Sequence, residues 1–106
     1  MKISDMLELV DAVKSNEYSD DLKIRWLNEV EGRVLCEIRK VKPEDIKEMT
    51  GSDDVLSVPN PYSRLYLFYL ASMIDFSRGD AAAFSRSNEA FEAAFTEYAK
   101  FVLRSK

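Results

Sequence analysis

Apolar residues recur at three- and four-residue spacing along most of the chain, as expected of helices that bury one face. Near the start, Met6, Leu7, Val10 and Val13 keep that spacing behind Ser4, a residue type that caps helix N-termini, and predict a short helix over residues 4–15. Ser19 followed by Asp20 and Asp21 is a second start signal. An oxygen acceptor and two carboxylates stand where unpaired backbone N–H groups and the positive end of the helix dipole need them. From there Leu27, Val30, Val34, Ile38 and Val41 form one stripe, with Trp26 and Leu35 beside it, which predicts a long helix over 20–41. Pro43, Glu44 and Asp45 suit the first turn of a third, short helix over 43–50, with Gly51 as its stop.

The second half predicts a helical hairpin. Asn60-Pro61 is a cap followed by a proline at the first helical position, and Gly79 closes a helix over 61–77. Tyr62, Tyr66, Tyr69, Met73 and Phe76 alternate steps of four and three, while Leu65, Phe68, Leu70 and Ile74 cover other faces. Only Arg64 and Asp75 carry charge, so this helix is expected to be buried nearly all round. Asp80 caps a last helix over 80–104, in which Phe84, Asn88, Phe91, Phe95, Tyr98 and Val102 repeat the spacing and Ala83, Ala90 and Ala94 lie alongside. The short Arg78-Gly79-Asp80 turn makes the last two helices antiparallel. The expected fold is therefore a single all-α domain of about five helices. A long C-terminal antiparallel hairpin packs on an N-terminal helical segment, with a loop at 51–60 between them.

Composition sharpens this division. Ten of the twelve aromatic residues lie between Tyr62 and Phe101, whereas residues 1–50 hold 21 of the 34 charged side chains. A chain of 106 residues supports one modest core, with a radius of about 13 Å if compact. Trp26, the only tryptophan, is expected to anchor the charged half to the hairpin, packing with Leu27, Val30 and Val34 against Tyr66, Tyr69, Met73, Phe91 and Phe95. Trp26, Tyr62, Tyr66, Tyr69, Phe91, Phe95 and Tyr98 are the residues expected either to form the core or to present surplus apolar surface to a partner.

Net charge is −4, with −3 in residues 1–50 and −1 in the remainder. The densest basic stretch, Arg39, Lys40 and Lys42, is answered at once by Glu44, Asp45 and Glu48, so tight nucleic-acid binding by the monomer is not expected. No run of 18 apolar residues and no apolar leader stretch occur, which predicts a cytoplasmic protein without a membrane partner. With no His and a single cysteine, Cys36, no metal or haem ligand set is recognisable, and three scattered glycines make no phosphate cradle. Cys36 has no base partner nearby in sequence, and a structural role suits it better.

Candidate chemistry is correspondingly thin. Asp75, the one carboxylate in an apolar helix, is the sole candidate acid or base; its bland alternative is solvent exposure or pairing with Arg78 three residues on. Glu29 and Glu31 cannot share a helix face. Arg78-Gly79-Asp80 spells an adhesion tripeptide, but a helix stop and a helix cap account for all three positions. Gly32, inside the long helix, costs about 1 kcal/mol relative to Ala and suggests a close helix contact or a bend there. No catalytic, cofactor-binding or metal-binding residue is assigned, and the protein is not expected to be an enzyme.

Three segments carry a resemblance: Ile24-Arg25-Trp26-Leu27-Asn28-Glu29-Val30-Glu31-Gly32-Arg33, Pro59-Asn60-Pro61-Tyr62-Ser63-Arg64-Leu65-Tyr66 and Tyr69-Leu70-Ala71-Ser72-Met73-Ile74-Asp75-Phe76, continued by Asn88, Phe91 and Tyr98. Together they resemble small proteins encoded in the head-assembly regions of tailed phages and prophages of Firmicutes, which are similar to head-to-tail connector (adaptor) proteins. The resemblance implies an all-helical, non-enzymatic structural protein with no cofactor. It implies portal and tail or neck proteins as partners, a homo-oligomeric ring around the DNA channel, and a place in the virion neck after assembly in the host cytoplasm. An acidic balance suits a channel through which DNA slides. From the residues alone, a regulatory or protein-interaction module that binds a partner through an aromatic helical face is the alternative.

Overall fold

The computed structural model describes all 106 residues. Four α-helices account for the architecture: α1 (Ile3–Val13), α2 (Asp20–Arg33), α3 (Arg64–Ser77) and α4 (Ala81–Arg104). There is no strand, and a lone bridge pairs Lys2 with Val55. The radius of gyration is 13.5 Å and the longest dimension 39 Å.

The central element is α3, which α1, α2 and α4 all contact. Three neighbours explain why it is apolar on so many faces: Leu65, Tyr66, Leu70, Ala71 and Ile74 are buried. Its antiparallel pairing with α4 is the most extensive in the molecule. The turn between them is built as expected. Gly79 takes a φ of 71°, in the left-handed region where glycine is preferred, and the Asp80 side chain accepts from the Ala83 N–H at 3.0 Å. Ser19 likewise caps α2, accepting from Leu22 N–H at 3.2 Å. One core joins all four helices, running from Ile3, Met6 and Val10 through Trp26, Leu27 and Val30 to Phe91, Phe95 and Tyr98, with Leu56 and Val58 added from the connecting loop.

Four expectations are corrected. First, α1 starts at Ile3 with Lys2 at the cap position and no side-chain cap, because Ile3 and Ser4 donate their N–H groups to the Asp54 and Ser52 carbonyls. The 51–54 loop does the work assigned to Ser4. Second, α2 does not run as one α-helix to residue 41: it widens into a π-helical turn over Val34–Ile38 and stops at Lys40, whose φ is 62°. Gly32 sits two residues before that turn, and a Cβ there would meet nothing within 4 Å, so no close helix contact explains it.

Third, the helix expected over 43–50 is only a 3-10 turn at Pro43–Asp45. Its continuation is pre-empted by Asn28, whose side-chain amide donates to the Met49 carbonyl at 2.9 Å and accepts from the Met49 N–H at 2.8 Å. With both backbone groups of Met49 taken by a side chain of α2, the segment has no reason to close on itself. Fourth, the Asn60-Pro61 peptide is cis, residues 60–63 form turns, and α3 begins at Arg64 rather than Pro61.

Candidate functional site

Polar groups reach the core at three places, each a junction between elements. At the first, Glu31 of α2 is buried and accepts three hydrogen bonds: from the Tyr66 hydroxyl at 2.6 Å, the Ser57 hydroxyl at 2.9 Å and the Ser57 N–H at 2.8 Å. The Tyr66 oxygen in turn accepts from the Val58 N–H at 3.0 Å. One carboxylate thus joins α2, α3 and the 51–60 loop. Burial first, then the adjacent Glu31 charge, pushes the Tyr66 phenol far above its ordinary value, so it stays a donor. Two residues earlier, Glu29 accepts from the Tyr69 hydroxyl at 2.9 Å at a more exposed position. Burial and that bond raise Tyr69 as well.

At the second junction Asp75 is buried, with Lys14 Nζ at 2.5 Å from Oδ1 and the Ser87 hydroxyl donating to Oδ2 at 2.8 Å. It therefore ties the end of α1 to both arms of the hairpin. The alternatives of solvent exposure and pairing with Arg78 are both overturned; Arg78 donates instead to the Ser15 carbonyl. At the third, the Lys23 ammonium is buried against Asp11 at 2.7 Å and Asn16 Oδ1 at 3.3 Å, and it holds the Asp11 carboxyl below its usual range.

Both Asp75 oxygens are engaged, Glu31 is saturated by donors, and neither lines a hollow. The largest hollow, of about 490 Å³, lies between the α1–α2 loop and Arg78. A second, of about 270 Å³, sits at the hairpin turn between Phe76, Ala81 and Phe84. No three carboxylate or thiol side chains converge as a metal-ligand cluster, and Cys36 is half-buried in the middle of the π turn.

Of the aromatic candidates, Trp26, Tyr66, Phe91, Phe95 and Tyr98 are buried in the core, and Tyr62 and Tyr69 are half-buried against it. Trp26 packs edge-on against Tyr18, from the loop before its own helix, at 5.6 Å between centroids. The α2–hairpin seam is marked instead by Arg33, whose guanidinium lies 4.7 Å from the Phe95 ring centre and 5.4 Å from that of Phe91. Tyr62 stacks on Phe101 at 4.7 Å.

Apolar surface left open is found elsewhere: Phe76 is 64% exposed at the hairpin turn, Leu103 71% near the end of α4, and Val13 62% at the end of α1. Periodicity alone assigns Phe76 and Val13 to buried stripes, and only their places at helix ends signal otherwise. No helix is long and apolar enough to cross a membrane. No family model, curated protein or solved structure matches the chain.

Proposed function

We propose that the chain is a structural protein of a tailed phage, a head-to-tail connector that assembles at the portal between capsid and tail. The observation that carries this reading is the contrast between buried charges that are all paired and apolar side chains left open at the surface. Every buried carboxylate and ammonium is spent on joining elements, while large apolar side chains stay open at separate places, Phe76 at the hairpin turn and Leu103 at the far end of α4. Separate apolar patches on a small helical body suit a subunit that touches several neighbours at once. The resemblance in residues 24–33, 59–66 and 69–76 supplies the phage setting.

Co-expression with a cognate tailed-phage portal protein, followed by light scattering and electron microscopy, tests the reading. Closed multi-copy assemblies seated on the portal are expected. A chain that neither binds the portal nor changes its oligomeric state defeats it. That result would promote the second reading, a regulatory module that takes an apolar side chain of its partner into the hollow between Phe76, Ala81 and Phe84.

A further inference from the structure

The amphipathic pattern of α1 has a second side. Its inward stripe is Ile3, Met6, Leu7 and Val10, all buried. Its outward stripe is Asp5, Glu8, Leu9, Ala12 and Val13, at the i, i+3, i+4, i+7, i+8 spacing of one helix face, and all five are exposed. This face is acidic at its N-terminal end and apolar at its C-terminal end; α1 carries no Lys or Arg, and neither Asp5 nor Glu8 takes part in any of the chain's ion pairs.

The complement lies on another flank. Between the π turn and the last turns of α4 is a hollow of about 190 Å³ floored by Ile38, Ala99, Val102 and Leu103, with Lys40 and Lys106 on its rim. Its one acid, Glu37, is already paired with Arg33 at 2.9 Å. Lys40, Lys106 and the neighbouring Arg104 make no ion pair. Two helix C-termini meet here, so their exposed carbonyl ends add to the reason for cations to collect. Lys40 is far in sequence from Arg104 and Lys106, and only the fold brings it to them. The α1 face and the basic hollow cannot satisfy each other within one molecule. Helices α1 and α4 pack on α3 from separate sides, and the Lys14–Asp75 pair holds the end of α1 at the hairpin turn, the opposite end of α4 from Lys106.

We propose that the occupant of this hollow is a second copy of the chain. The acidic-apolar face of α1 docks there, Leu9 and Val13 meeting the apolar floor and Asp5 and Glu8 facing Lys40, Arg104 and Lys106. The contact joins unlike surfaces, so every copy keeps one free face of each kind and assembly continues until a ring closes or a filament grows. The proposal rests on the connector reading for its biological setting, and the two fail separately. Portal binding without self-association removes only this inference; self-association without portal binding removes only the connector.

Sedimentation velocity on the full chain tests it with two surface variants, Asp5→Lys/Glu8→Lys and Lys40→Glu/Lys106→Glu, whose unchanged thermal melts certify folding. The wild-type chain is expected to shift to larger species as concentration rises, with association weakened about tenfold or more when salt is raised well above physiological strength. Each variant alone is expected to stay monomeric. An equimolar mixture is expected to assemble again beyond the dimer, because one junction pairs the two native surfaces and the other pairs the two charge-reversed ones. A wild-type chain that remains monomeric at all concentrations overturns the proposal, as does either variant alone assembling like wild type, or a mixture that stays monomeric.

Discussion

Along α2 the buried set mixes Trp26, Leu27 and Val30 with Lys23 and Glu31, whereas α4 buries only Phe91, Phe95, Tyr98 and Val102. The two helices solve different problems. Helix α4 lies against a regular partner, α3, in the most extensive helix pairing of the molecule, and edge-on ring pairs do most of the joining, with a single polar tie from Ser87 to Asp75. Helix α2 must hold irregular chain: the α1–α2 loop through Lys23, the 46–50 segment through Asn28 and the 51–60 loop through Glu31. Loop backbone carries N–H and C=O groups that need directional partners, and apolar contact cannot provide them. The buried charges of α2 are thus the counterpart of the missing secondary structure in residues 41–63.

The sharpest break in this comparison is Trp26→Ala. Trp26 is the largest apolar side chain on the polar-pinned helix, it is buried, and it supports Tyr18. Truncation is expected to cost about 3 to 5 kcal/mol in chemical denaturation. A loss below about 1 kcal/mol would mean that directional bonds alone hold α2 in place.

Next is Glu31→Leu, which keeps the bulk but strands the Ser57 N–H, the Ser57 hydroxyl and the Tyr66 hydroxyl. The expected cost is about 3 kcal/mol, with Glu31→Gln costing less because its carbonyl still accepts. Equal stability of Glu31→Leu and wild type would show that the loop is held by Leu56 and Val58 packing instead.

Tyr66→Phe removes one donor to Glu31 and the acceptor of the Val58 N–H, for an expected loss of about 1.5 to 3 kcal/mol at neutral pH. It also carries a pH signature. The folded chain raises the Tyr66 phenol above its unfolded value of about 10, so its contribution is complete below that pH and is lost as pH rises toward the folded value. Denaturation curves are therefore expected to show the gap between wild type and Tyr66→Phe narrowing above about pH 10. A constant gap would place the phenolate and Glu31 farther apart than the structure has them.

Which parts of this were legible beforehand follows from the same contrast. The hairpin, its turn and both caps, Ser19 and Asp80, are local events between residues a few positions apart, and periodicity with cap chemistry finds them. The helix expected at 43–50 fails because its competitor, Asn28, lies 21 residues from Met49. Glu31 was visible in principle: Leu27, Glu31, Val34 and Ile38 step by four, three and four, so the carboxylate stands in the apolar stripe itself, and Lys23 precedes Leu27 by four. Neither is recognised as buried from the sequence, because charged residue types are ordinarily exposed. Asp75 stands out in the sequence as the one carboxylate of an apolar helix, but its partners Lys14 and Ser87 are 61 and 12 residues away, beyond the reach of helical spacing.

Gly32→Ala probes α2 more gently. The added Cβ meets nothing within 4 Å and the backbone there is helical, so only the conformational freedom of the unfolded chain changes. A gain of about 1 kcal/mol is expected. A loss would locate a constraint in the π turn that begins two residues later, where a stiffer approach could oppose the wider winding.

The smallest effect is expected at Tyr98→Phe, the counterpart on α4 to Tyr66→Phe on α3, and its sign makes the comparison decisive. Both tyrosines are fully buried, yet Tyr66 sits in a closed network while the Tyr98 hydroxyl has no hydrogen-bond partner in the chain. The Tyr98 ring is what packs, tilted on Tyr62 at 5.6 Å and stacked on Phe101 at 6.3 Å, with the Arg39 guanidinium 5.9 Å from its centre. Removing a buried, unpartnered hydroxyl removes a desolvation cost and leaves the ring contacts in place, so stability is expected to stay level or rise by up to about 1 kcal/mol. The same chemical change thus destabilises the junction of α3 with α2 and the 51–60 loop, and spares the packing on α4. A loss above about 1 kcal/mol at Tyr98 would mean that its hydroxyl bonds to a group outside the chain, a bound water or a neighbouring copy, and that the hairpin too depends on directional bonds.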